Sequence, residues 1–314
     1  MVTREGNSII QITIDFLKNK YVSGIKAMDY RDVWNSLYLE HVDPHKYLYH
    51  YTTVNSAIKI LYGDTLRFSK ISNANDTMES KPWLSGQHDM NLVRKALELF
   101  QTINKQYIQI LCFTMDSSED IRMKYGNKLN DDEKRINLAG RGYSLPRMWA
   151  QYASDNQGIC FIFDQKKIKK KIRDKLSSNC LISGPVDYYS LFKNYSFGQD
   201  PLKDLIKKTG ETMNQDQKAL WNIDFLKRHL DFVKYNYLSK LSDWSGENEY
   251  RFVAYGSDVY TINGIKDALI GIVFGEKIEP VYEKVIQDLS PNNCETRKMI
   301  FTYQGCQLKI CVQE

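Results

Sequence analysis

The chain is poor in the residues that punctuate loops, with 17 glycines and 7 prolines in 314 residues, a balance that argues against intrinsic disorder. Histidine is scarcer still, at 5, and the cysteines at 112, 160, 180, 294, 306 and 311 are scattered, with no C-x-x-C pair and no histidine at zinc-ligand spacing. That pattern excludes a zinc ribbon or a disulfide scaffold and reads as reduced core or surface thiols. No run approaches the roughly 18 apolar residues of a membrane helix. The first residues, Met1 to Ser8, show no basic region followed by an apolar stretch and a cleavage site, so a cytoplasmic protein without a membrane partner is expected. A Walker loop, a G-x-G-x-x-G turn, a G-x-S-x-G elbow and an H-E-x-x-H helix are all missing, which removes those enzyme classes. The formal net charge of +5 is too mild to name a nucleic-acid partner.

What is present is apolar and aromatic mass: 42% hydrophobic residues, 21 Tyr and 13 Phe, enough in a chain of this length to bury a sizeable core. The patterning predicts a helical preamble over 1–45 and a single α+β domain over 46–314, with a helical insertion near 200–243. Strands are expected at 47–52, 66–71, 108–114, 158–163, 247–255 and 267–275, where aromatic or β-branched residues cluster or alternate. Helices are expected after Thr52 or Thr53, at 90–104, along the basic segment 166–175, over 214–241 and at 279–289, followed by a hairpin turned at Gln304-Gly305.

Two polar motifs stand out. In a strand at 47–52, His50 and Thr52 share a face while Tyr49 and Tyr51 take the other. In Glu247-Asn-Glu-Tyr-Arg, the same alternation puts Glu247, Glu249 and Arg251 together, and two neighbouring carboxylates repel unless a cation or a hydroxyl sits between them. A salt-bridge ladder on a solvated sheet face explains these residues as well as a site does. Arg67 and Ser69, with Asn73, Asn75 and Asp76 behind them, read either as turn chemistry or as a rim for phosphate or ribose. Met148-Trp-Ala-Gln-Tyr offers Trp149 and Tyr152 as a flat aromatic wall or as core anchors. The basic segment 166–175 reads as a solvated helix face, because it lacks interleaved stacking residues.

Leu48-Tyr-His-Tyr-Thr, Leu66-Arg-Phe-Ser with Asn75-Asp-x-x-Glu, Cys112-Phe-Thr, Met148-Trp-Ala-Gln-Tyr-Ala, Trp244-x-x-Glu-x-Glu-Tyr-Arg and Ile272-Val-Phe-Gly resemble, in order and spacing, the bacterial domain-of-unknown-function 2971 family. The layout of an early His strand, a polar and aromatic strand and a late Glu-x-Glu strand is also similar to that of ADP-ribosyltransferases. That resemblance implies a split, mostly antiparallel sheet with surrounding helices, NAD as substrate, and an unknown protein or nucleic-acid acceptor, in a toxin or a phage-defence effector, with no metal site. It implies His50 as the ribose or adenosine clamp, Arg67 and Ser69 on the pyrophosphate side, Glu249 as catalytic carboxylate and Glu247 positioning the acceptor. Tyr51, Thr52, Trp149 and Tyr152 complete the expected NAD-binding set, Tyr51, Trp149 and Tyr152 competing with Phe68 to be the stacking aromatic. Two alternatives stay open: a metal-dependent hydrolase or nuclease using Asp76, Glu79, Glu247 and Glu249, and a nucleotide-sensing module without turnover.

Overall fold

The computed structural model describes residues 46–76, 90–117, 140–176, 180–190, 201–208, 215–256, 258–302 and 305–310. The expected preamble over 1–45 lies outside the described residues, as does Glu79. In chain order the strands are β1 (Tyr47–Thr52), β2 (Thr65–Arg67), β3 (Ser69–Lys70), β4 (Ile108–Thr114), β5 (Ile159–Asp164), β6 (Cys180–Pro185), β7 (Asp187–Tyr189), β8 (Ser239–Leu241), β9 (Glu249–Tyr255), β10 (Thr261–Asn263), β11 (Leu269–Phe274), β12 (Glu295–Thr302) and β13 (Gly305–Ile310). The helices are α1 (Val54–Gly63), α2 (Met90–Tyr107), α3 (Pro146–Tyr152), α4 (Gln165–Leu176), α5 (Pro201–Lys208), α6 (Gln215–Arg228), α7 (Leu230–Tyr237) and α8 (Pro280–Leu289).

The main sheet runs β13-β12-β11-β5-β1-β4-β9-β6, with β3 also on β4. Its ladders are antiparallel apart from the parallel β11–β12 pair. The apolar run Ile159 to Phe163 forms its centre, buried on both faces as a strand without polar alternation must be. β1 pairs with β5 along its whole length, from Tyr47↔Asp164 to Thr52↔Ile159. Toward β4 its register holds the single pair Tyr49↔Thr114. The sheet therefore has a seam in its middle, between one well-paired half ending in β1 and another beginning at β4.

One face of the sheet is continuous across that seam: Leu48, Phe113, Phe161, Phe163, Phe252 and Ile272 pack with Ala57 and Leu61 of α1, Ile168 and Ile172 of α4 and Ile286 of α8. The basic segment is thus the outer side of α4, held by an apolar stripe at helical spacing. The opposite face is divided. Tyr47, Tyr49, Tyr51, Ile162 and Val273 pack with Trp149 on one side, while Ile108, Ile110, Val253 and Tyr255 pack with α2, α6 and α7 on the other. Between these two cores the face of β4 and β9 turns polar, at Cys112, Thr114, Arg251 and Glu249.

Three elements depart from the periodicity. The segment expected as one strand at 66–71 is two, because the Phe68 side chain is fully buried and its N–H donates to Tyr260 O at 2.9 Å; β2 thus pairs with β10 and β3 with β4. The helix expected over 214–241 breaks at His229 (φ −111, ψ 51), whose ring lies 3.0 Å from the Asp204 carboxylate. The strand expected from Glu247 begins at Glu249 instead, since Asn248 takes a left-handed conformation, φ 44.

Candidate functional site

Where the two cores part, a cleft of about 280 Å³ opens, lined by His50, Tyr51, Arg67, Ser69, Tyr152, Glu247 and Glu249 among others. Thr52 and Trp149 are not among its lining residues. Thr52 pairs with Ile159 at the far end of β1. Its carbonyl leaves no room at Gly158, where a Cβ would meet it at 2.3 Å. Trp149 is fully buried; its indole N–H donates to Tyr143 O at 2.8 Å and its ring meets Tyr51 edge-on at 5.1 Å. It anchors α3 against β1. Tyr51 gives its hydroxyl to Gly142 O at 2.7 Å, which turns that group away from the cleft.

Register places Tyr49, Thr114 and Glu249 on one face, so His50 alternates to the other. It reaches the cleft because β1 and β4 separate beyond Tyr49. The His50 ring takes the place of a backbone partner, with Nδ1 3.1 Å from Cys112 O and the ring 5.6 Å from Phe113. A carbonyl accepts only, so Nδ1 carries the proton and Nε2 is left as an acceptor with no partner among the described residues. Burial lowers the imidazole's pKa from 6.5, with the Cys112 bond opposing, which keeps the ring neutral.

The carboxylates meet by a different route from strand alternation. Glu247 ends the 3-10 helix Ser242–Glu247, and the left-handed turn at Asn248 returns the chain to β9. The turn is fixed on both sides of Met115: Asn248 Nδ2 donates to Met115 O at 2.9 Å and Met115 N donates to Asn248 O at 2.8 Å. Glu249 receives Arg251 bidentately, Nε to Oε1 at 2.6 Å and Nη2 to Oε2 at 2.8 Å. Lys240 bridges the pair, with Nζ 2.7 Å from Glu247 Oε2 and 3.2 Å from Glu249 Oε2. Tyr152 OH donates to Glu247 Oε1 at 2.6 Å. Glu249 N donates to the Tyr188 hydroxyl at 2.9 Å.

Buried charges persist only when paired in this way. Burial alone would raise the Glu249 pKa, but Arg251 and Lys240 outweigh it and hold the carboxyl at about 2. For Tyr152, burial and then the Glu247 carboxylate push the phenol well above its usual range, so it stays a donor. The rim is different. Arg67, Ser69, Asn73 and Asn75 are exposed, and the Arg67 side chain has no ion-pair or hydrogen-bond partner among the described residues.

Behind the cleft lies a second buried ion pair, Arg141 Nη1 to Asp116 Oδ2 at 3.1 Å, with Gly142 N donating to Asp116 Oδ1 at 2.9 Å. Position 142 must be glycine, since a Cβ there would stand 2.2 Å from the Tyr49 ring.

Sequence reasoning missed Lys240, Tyr188 and the Asp116–Arg141 pair. A signal for Lys240 existed: adjacent glutamates called for a cation, and this lysine stands seven residues before Glu247. Of the four donors of the metal alternative, Glu79 lies outside the described residues, and the oxygens of Glu247 and Glu249 are held by cations and a phenol. Among the described residues no group of three or more His, Cys, Asp or Glu could hold a metal ion. No helix among them is long and apolar enough to cross a membrane.

No curated protein and no solved structure matches the chain. Residues 148–252, which run from within α3 into β9 and hold Trp149, Tyr152, Lys240, Glu247 and Glu249, match the model of the family described as protein of unknown function, DUF2971.

Proposed function

We propose that this cleft is the active site of an NAD-dependent ADP-ribosyltransferase-like enzyme acting on a macromolecular acceptor. The supporting observation is convergence: a neutral histidine acceptor from β1, an exposed arginine from β2, a phenol from α3 and a fixed carboxylate pair from the end of the 3-10 helix and the start of β9 line one cleft. A volume of about 280 Å³ lies at the low end for ligand clefts, so it suits the nicotinamide-ribose half of NAD, with the pyrophosphate crossing the rim at Arg67 and Ser69.

In this reading His50 Nε2 accepts from a ribose hydroxyl. The bond from ribose C1′ to nicotinamide nitrogen breaks and its electron pair leaves with nicotinamide. Glu249, held ionised and immobile, lies beside the cation that develops at the ribose, where attraction grows as charge forms. The acceptor's lone pair closes on C1′ and its proton passes to Glu247 or to solvent.

A nucleotide-sensing module is the second reading, and one observation favours it: every carboxylate oxygen of Glu247 and Glu249 already has a protein partner. Purified full-length chain incubated with NAD labelled in the adenylate, with and without cell lysate, separates the two. Transfer of label to protein or nucleic acid, or release of nicotinamide, is expected, falling about 100-fold or more in Glu249→Gln with unchanged circular dichroism. Saturable NAD binding with no product across a broad acceptor set would sink the transferase and leave the sensor.

A further inference from the structure

Lys240 belongs to no motif that drew attention in the sequence, yet its ammonium contacts both cleft glutamates. It sits on β8, whose parallel partner β7 sets Tyr188 opposite it in register. Its side chain is 5% exposed, and its ammonium also lies over the Trp244 ring at 4.8 Å. Arg147 of α3 stacks on that same ring at 5.1 Å and donates to Asp243 O, which fixes the ring as a wall behind the lysine.

The groups facing Lys240 are Glu247 from the 3-10 helix, Glu249 and Arg251 from β9, Tyr152 from α3, Tyr188 from β7, and Cys112 of β4 through its bond to Glu249. Two acids and two bases form a cluster of zero formal charge. A cluster serving stability alone is commonly replaceable by apolar residues of similar volume; this one borders the cleft instead. Without Lys240, Glu249 would retain Arg251, whereas Glu247 would keep only the Tyr152 hydroxyl.

We propose that Lys240 is a positioning residue for the transfer reaction, its ammonium holding Glu247 and Glu249 side by side as two carboxylates on the cleft floor. This rests on the transferase reading for its catalytic consequence, but not for its structural one.

The test uses the full chain. Lys240→Met should lower kcat about 100-fold, as loss of alignment does, with KM for NAD little changed, and Lys240→Arg should recover part of the rate. The discriminating readout is the carboxylate infrared band, which needs no turnover. Lys240→Met should show a carboxylate band displaced from its wild-type position, because that stretch moves when a hydrogen-bond partner is lost. In Lys240→Met/Glu247→Gln, which removes one charge of each sign and is expected to fold even if the single variant does not, that band should vanish. A Lys240→Met protein whose carboxylate bands superimpose on those of wild type, or a double variant that keeps the displaced band, would overturn the proposal. A displaced carboxylate band in a protein without NAD turnover in wild type would uphold the positioning of the glutamates and count against the transferase alone.

Discussion

Asp116 and Glu249 are both buried carboxylates with an arginine partner, and their acidities shift in opposite directions. Burial outweighs Arg141 at Asp116, so its pKa rises. At Glu249 burial is also the largest influence, but the bidentate Arg251 together with Lys240 overcomes it. The contrast comes from the number and geometry of cationic donors, since an arginine fork supplies two parallel bonds and Lys240 adds a second positive charge. Neither Asp116 nor Arg141 lines the cleft, whereas all four members of the Glu249 cluster do. One pair is sealed beside Tyr49 and Tyr143. The other holds charge where a ligand can meet it.

Breaking the sealed pair should have the largest effect on the fold. Asp116→Ala leaves Arg141 buried without its counter-charge and is expected to lower unfolding free energy by about 3–5 kcal/mol in urea titration. A loss no larger than that of an exposed pair would erase the distinction between the two regions.

Acid titration sharpens the comparison. A carboxyl with a depressed folded pKa contributes stability that is present above its unfolded value and lost as pH falls through the folded one. For Glu249 that window runs from 4.5 down to about 2, so the stability gap between wild type and Glu249→Gln should close across it. Asp116 has the raised value and the opposite sign: the gap between wild type and Asp116→Asn should shift in favour of wild type as pH falls. Parallel curves for the two variants would contradict the assignment.

The cleft's histidine gives a smaller, ligand-linked effect. With a folded pKa lowered from 6.5, His50 presents a neutral acceptor at and above that pH. NAD affinity by calorimetry should therefore be flat above pH 6.5 and weaken below it, by up to about tenfold per unit once the ring protonates; His50→Gln should flatten the dependence. The smallest change is expected at the rim, where Arg67→Ala removes an exposed charge worth about 1 kcal/mol or less. Its loss should weaken NAD binding a fewfold at low salt and hardly at all at high salt.

Much of this was legible in the chain. The aromatic run at 47–52 and the apolar run at 159–163 announced strands, and the stripe at Ile168, Ile172 and Leu176 announced a helix facing inward. His50, Tyr152, Glu247 and Glu249 stood out by residue type and spacing, the resemblance to ADP-ribosyltransferases made them site candidates, and they line one cleft. Alternation misjudged how they meet. It treated 247–251 as uninterrupted strand, whereas Asn248 at φ 44 folds Glu247 back, a conformation that asparagine tolerates without declaring it in the pattern. It left Trp149 open between wall and core anchor, and the resemblance placed it in the site, because amphipathic spacing does not say which neighbour covers an aromatic ring.

The sequence alone determined which segments could bury their side chains, because periodicity is a local property of adjacent residues. It also supplied the glutamate pair's need for a counter-charge, since like charges at short range repel. Tertiary structure decided that the counter-charge is Lys240, that β1 and β4 part after one pair, and that His50 enters the gap. Those outcomes depend on contacts between residues far apart in the chain, and a buried charge selects whichever partner the fold brings within bonding distance.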